Sequence, residues 1–301
     1  MISKYTYKGL TWVDLESPTQ EELDHIMDEY SIPSLLGEEL TDKSLHAKVD
    51  VYSNFIYLIL NFPKLSTQKT KGVEQEIDFI VGNNFIITVH YEFIDTLYEF
   101  AKRLEVELSL EKKIDVDHGG LIFFHIVKTL YMHSREELMG VNSQIKETEK
   151  SIFSGEEGKM VQMLSHINRT LLDFKQTLRF HKDILESFNF AANRFFGEKF
   201  NYYTGEIMNE YNKSISVIES HKEIVDDLRD TNDSILANKT NDTMKVLTII
   251  TFLISPVTVI SSLFMMNTDF ILNTTQFYFI LAAMFVTSVI IFIYFKIQKW
   301  L

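Results

Sequence analysis

This 301-residue sequence predicts an α+β soluble domain, a long stalk helix and two transmembrane helices. Three observations predict that fold class. No charge occurs from Val246 to Thr268, and Phe277 to Phe295 is a second uncharged apolar run; a helix needs ~20 such residues to cross a bilayer. Residues 1–90 instead break into β-rich runs punctuated by turn signals. From Gly205 the chain then runs without Pro or Gly into the first apolar segment, the mark of one long helix.

Taken in order, Thr11 to Leu15 reads as a short strand, and Ser17-Pro18-Thr19-Gln20-Glu21-Glu22 as a helix start, with a hydroxyl cap and acids in the first turn. Lys48 to Tyr52 and Phe55 to Leu60 are strands parted by Ser53-Asn54. Glu74 to Val81 and Phe85 to His90 repeat that logic around Gly82-Asn83-Asn84. A hairpin-rich sheet with helices packed on it follows. Helices are expected over roughly 92–113, 119–153 and 158–196. In the last helix Ile207, Tyr211, Ile218, Val225, Leu228 and Ile235 keep heptad spacing, interrupted by Ser214, His221 and Asn232. That pattern predicts a stalk packing loosely against copies or neighbours, or a plain coiled-coil tether. The expected division is 1–203 for the soluble domain, 204–242 for the stalk, 243–267 and 277–295 for the spans, 268–276 for the link and 296–301 for a basic tail.

The first span is patterned. Asn241, Thr248, Thr251, Ser255, Thr258 and Ser262 recur along one face, and Val246, Ile249, Ile250, Leu253, Val257 and Ile260 occupy the others. Such a helix can line a watery hole, several copies closing around an axis; a hydroxyl-rich packing seam gives the same periodicity. The second span has few polar positions, chiefly Thr287 and Ser288, and is expected to face lipid and support the first. Lys245, Lys296 and Lys299 place both termini on the cytoplasmic side and the link outside.

Net charge is −13. Beyond residue 242 three lysines oppose Asp269 alone, so the acid lies in the first 242 residues. That balance disfavours nucleic acid and suits cations. Zero cysteines exclude disulfides and thiolate metal sites, and the N-terminus shows no apolar run of a signal peptide. No P-loop, nucleophile elbow or paired catalytic constellation is present, so no enzyme is expected. Asp230, eleven residues before Asn241, lies on nearly the same helix face and is a candidate for a cytoplasmic vestibule; with Asp226, Asp227 and Asp233 it reads equally as solvated stalk charge. His118, His125 and His133 lack the spacing of a zinc helix.

Asn238-Lys239-Thr240-Asn241, Met244 to Thr248, Pro256-Val257-Thr258 and Met266-Asn267 resemble the first membrane helix of CorA-type magnesium transporters. Phe295 to Leu301 is similar to that family's basic tail. Trp12 to Leu15 with Pro18-Thr19, Lys48 to Tyr52, and Glu74-Gln75 leading to Asn84 to Thr88 resemble its soluble domain in order. The resemblance implies a funnel-shaped homopentamer in the plasma membrane, a pore lined by the first span, Mg2+ as transported ion, regulatory Mg2+ held by soluble-domain carboxylates, and no organic cofactor. It implies that Asn241, Met244, Leu247, Thr248, Thr251, Ser255, Thr258 and Ser262 line the pore, with Leu247 as an apolar girdle, and that Met265, Met266 and Asn267 form the outer mouth. Three features depart from the family. Met265 stands where it has Gly, Ser255 stands where relatives often carry a bulky apolar residue, and the external loop offers only Asp269 as an acid. Co2+, Ni2+ or Zn2+ transport, a proton-coupled zinc transporter, and a non-conducting membrane scaffold or sensor are the rival expectations.

Overall fold

β-branched and aromatic runs build a six-stranded sheet in the order β1-β2-β6-β5-β4-β3. The strands are β1 (Ile2–Tyr7), β2 (Leu10–Glu16), β3 (Val49–Val51), β4 (Phe55–Pro63), β5 (Glu74–Gly82) and β6 (Phe85–His90). Among the described residues only β2 and β6 pair in parallel, which makes the sheet mixed. The computed structural model describes residues 1–7, 9–44, 47–64, 74–109, 117–265 and 274–298, apart from the side chains of residues 7, 107–109, 264, 265, 274 and 276. The chain divides into two units, Met1–Leu228 and Arg229–Leu301.

In the first unit, α1 (Gln20–Glu29) and α2 (Ser34–Glu39) cover one sheet face. Leu23, Ile26, Met27 and Leu36 meet Val13, Leu15, Phe55, Ile80 and Ile87 in a fully buried core. The predicted cap falls on Thr19: its Oγ1 accepts from the Glu22 amide, and the Thr19 amide donates to Glu22 Oε2 at 3.0 Å. The other face is covered by α3 (Asp95–Ser109), α4 (Gly119–Phe153) and α6 (His181–Phe196). Trp12 meets Phe100 edge-on at 5.4 Å, and Phe123 lies between Phe79 and Phe188.

One expectation is corrected here. The helix expected over 158–196 is two helices, α5 (Glu157–Thr177) and α6, joined by a 3-10 turn at Leu178–Phe180. Just past the turn His181, fully buried, accepts from Tyr131 Oη at Nδ1 and donates from Nε2 to the Asn61 carbonyl at 2.8 Å. Burial holds this imidazole neutral, its pKa lowered to about 4. The stalk seam, expected to pack against copies or neighbours, is filled within the chain itself. In the unit's share of α7 (Asn201–Met265), Ile207, Tyr211, Ser214, Ile218, Val225 and Leu228 are already buried.

An ion-pair cluster ties that share of α7 to α4. Arg135 Nη2 meets Glu210 Oε2 at 2.5 Å, and Lys213 holds Oε1 at 2.8 Å. Burial alone would raise the Glu210 pKa, but the Lys213 and Arg135 bonds outweigh it and hold it low. Arg135→Ala strips one partner from a nearly buried carboxylate. It should destabilise the chain by roughly 1–3 kcal/mol, read as a lower urea midpoint of Trp12 fluorescence.

Candidate functional site

The second unit contains the remainder of α7 and α8 (Thr274–Ile297). Both helices are long and apolar enough to cross a membrane. They run antiparallel: Ser288 Oγ donates to the Leu253 carbonyl at 3.3 Å, and Phe252 packs on Phe295 at 5.8 Å between ring centres. That register brings Lys245 and Lys296 to the same end. Pro256 sits within α7 and denies the Phe252 carbonyl its usual amide donor; the cross-helix bond from Ser288 falls one residue further on.

Contact with α8 divides α7 into faces. Ile249 is buried and Leu253, Pro256 and Ile260 are half-buried, at steps of four, three and four. These residues therefore meet α8 and do not share one lipid-facing side with Val246, Ile250 and Val257, which are exposed. Ser288 likewise meets α7 instead of lipid. Met244, Leu247, Thr251, Ser255, Thr258 and Ser262 are all exposed and share a face roughly 160° around the helix from the α8 contact, at ~100° per residue. Asn241 and Thr248 lie on its shoulder. The exposed hydroxyls face inward for their protons: Thr251 donates to the Leu247 carbonyl at 2.9 Å, and Thr258 to those of Ile254 and Ser255. Thr248 does the same to Met244 at 2.7 Å. Each bond uses the hydroxyl hydrogen and leaves oxygen lone pairs for an outer partner.

The shoulder residues border an open surface depression along α7, which Asn238, Asp242, Met244 and Lys245 complete. Asp242 and Lys245 pair across it at 2.8 Å. Asn238 and Asp242 were not singled out from the sequence as site residues, although Asn238 precedes Asn241 by one helical turn. On the same flank, Thr248 also borders an apolar groove of about 760 Å³ between Phe252 and Tyr294. Asp230 is exposed, its carbonyl accepting from Ser234 Oγ at 2.8 Å. Met265 closes α7 with helical backbone, whereas Met266, Asn267 and the link to residue 273 lie outside the described residues, as does Lys299. Among the described residues no group of three or more His, Asp or Glu side chains is placed to hold a metal ion. His118 is instead stacked on Phe196 at 4.6 Å.

The protein-family model described as "CorA-like Mg2+ transporter protein" matches residues 7–296. The chain is 21% identical to the cobalt/magnesium transport protein CorA of Thermotoga maritima, over 97% of this chain and 83% of that one. It is 20% identical to the cobalt/magnesium transport protein CorA of Methanocaldococcus jannaschii, over 97% and 92%. The complete structure of the CorA magnesium transporter from the latter organism superposes with a TM-score of 0.83 at 19% identity, covering 99% of this chain and 94% of that one. The chain therefore belongs to the CorA-like Mg2+ transporter family.

Proposed function

We propose that copies of this chain form a ring in the plasma membrane, in which α7 lines an axial pore passing hydrated divalent cations, Mg2+ foremost, into the cytoplasm. The observation that carries this reading is the oxygen-bearing face of α7, turned away from α8 and left uncovered in the single chain. A helix pair cannot enclose a channel, so that face needs copies around it. Its flanks suit a head-to-tail ring. One bears the apolar groove, and the other exposes Val246, Ile250, Ile254 and Val257 as a ridge. Five members is the number the family resemblance implies.

Mg2+ gives up water reluctantly and prefers octahedral oxygen. Rings of neutral Thr251, Ser255, Thr258 and Ser262 oxygens suit its hydration shell without stripping it, and Met244 and Leu247 supply an apolar constriction that closes by dewetting. Asn241 and Thr248 widen the polar surface at the Lys245 end, Asp230 gathers cations in the vestibule, and Asn267, flanked by Met265 and Met266, contacts the ion at the outer mouth. Met265 is compatible with this scheme because the backbone there is helical and demands no glycine conformation. An inward potential of 100 mV favours divalent entry by about 4.6 kcal/mol.

The test is uptake of Mg2+, Co2+, Ni2+ and Zn2+ by liposomes holding the full-length protein, with the interior negative. Mg2+ uptake that grows with the potential is expected. Absence of flux for every ion would establish the scaffold, and Zn2+ uptake that needs an imposed pH gradient would establish proton coupling.

A further inference from the structure

One buried acid serves neither the ion pathway nor an ion pair. Asp78 on β5 is 0% exposed, on the sheet face covered by α1 and α2. Among the described residues no Lys, Arg or His lies within ion-pair distance of its carboxyl. Its partners are two phenols: Tyr57 Oη donates to Oδ1 at 2.8 Å, and Tyr91 Oη to Oδ2 at 3.1 Å. The Tyr91 hydroxyl also lies 3.3 Å from the Leu40 carbonyl, where α2 ends. One hydrogen thus has two acceptors, one on the sheet and one on the helix cap.

We infer that Asp78 is a proton-binding switch that passes the Tyr91 hydrogen between its own carboxylate and the Leu40 carbonyl, coupling pH to the segment that follows α2. As a carboxylate Asp78 accepts from both phenols. With a proton added, its new O–H donates to Tyr91 Oη, and the Tyr91 hydrogen turns wholly to Leu40. No covalent bond changes. The surrounding groups leave the proton a place to bind. Glu76 on the same strand is acidic and nearly buried, and its Oε1 accepts from the Ser44 amide at 2.7 Å. Lys48 sits over the Tyr57 ring but is held by Glu39 and Asp50, Lys43 is held by Glu92, and Asp42 adds negative charge. Burial is the main cause that raises the Asp78 pKa to about 7, the hydrogen bonds from Tyr57 and Tyr91 opposing it; burial also raises those of Glu76, Tyr57 and Tyr91, so both phenols remain donors.

The sign follows from linkage. A carboxyl whose folded pKa lies above its unfolded value of 3.8 favours the folded state when protonated. Its contribution is lost as pH rises from about 4 through about 7. His90, raised by Asp14 against the opposing effect of burial, acts in the same direction. The switch is independent of conduction, so its failure leaves the proposed function untouched.

The test uses the full-length protein in lipid nanodiscs. Infrared difference spectra between about pH 6 and about pH 8 should contain a protonated-carboxylic-acid band that Asp78→Asn removes. Amide exchange over residues 41–44, corrected for the intrinsic chemical rate, should be about threefold slower at the acid end. Tyr91→Phe, which keeps the acid but removes the shared hydrogen, should retain the band and lose the exchange difference. Absence of the band from the native protein would overturn the proposal, as would an exchange difference that survives in Tyr91→Phe.

Discussion

Replacing both Thr251 and Ser255 with leucine should lower divalent flux through the full-length protein by at least about tenfold, which corresponds to ~1.4 kcal/mol of added barrier. Both residues lie on the face of α7 opposite α8, and both are exposed. In a ring each substitution acts once per subunit, so two full tiers of oxygen become hydrocarbon. A hydrated ion crossing them loses outer-shell partners, and the narrowed apolar section dewets. Thr287→Leu is the matched control. Its hydroxyl also bonds backward, to the Ala283 carbonyl at 2.9 Å, but it sits on α8. Flux should remain within about twofold there, since no pore wall is altered. Measured in the same liposomes at equal protein density, intact flux in the Thr251, Ser255 double variant would remove this stripe from the wall. Equal losses in both variants would point to helix packing instead.

How much of this was legible in the sequence depends on which contacts decide each feature. Strands β2, β4, β5 and β6 were legible because runs rich in β-branched and aromatic residues and the Ser53-Asn54 and Gly82-Asn83-Asn84 turns agree with the final pairing. Strand β1 was not, because an edge strand half-exposed at Ile2 and Tyr5 needs few apolar residues to hold its place; its one signal is Gly9 at φ 86° in the turn toward β2. The break at Leu178–Phe180 carries neither Pro nor Gly. It answers to His181 reaching Tyr131 and Asn61, partners fifty and more residues away. The seam from Ile207 to Leu228 was visible as a period, but periodicity cannot say whether a helix packs on its own chain or on a copy. The hydroxyl face was legible for the same reason, from spacing alone. That it avoids α8 was not, since Thr and Ser serve equally well as packing glue. At ~100° per residue, the displacement of Asn241 and Thr248 to the shoulder could have been read from their positions.

The same substitution at two glycines of α4 should move stability in opposite directions, because their surroundings differ. A Cβ on Gly119 would lie 2.3 Å from the Phe85 carbonyl oxygen and 2.4 Å from that of Gly82. Those oxygens belong to the β5–β6 hairpin, and the Gly119 amide donates to Asn83 between them at 2.9 Å. A methyl group therefore cannot be accommodated by a side-chain rotation. Either the helix start lifts off the turn or the hairpin itself shifts. Gly119→Ala should cost about 3 kcal/mol or more, a large share of the ~5–15 kcal/mol that holds a typical domain folded. Gly140, in the exposed middle of α4, has nothing within 4 Å of the corresponding position. There alanine restricts the unfolded chain and favours helix, so Gly140→Ala should stabilise by about 0.5–1 kcal/mol. Urea unfolding followed by the fluorescence of Trp12, buried against Phe100, reads both changes. If Gly119→Ala unfolds at the native midpoint, α4 does not begin on the β5–β6 turn, and the packing of the whole layer over Phe79 and Phe123 must be redrawn.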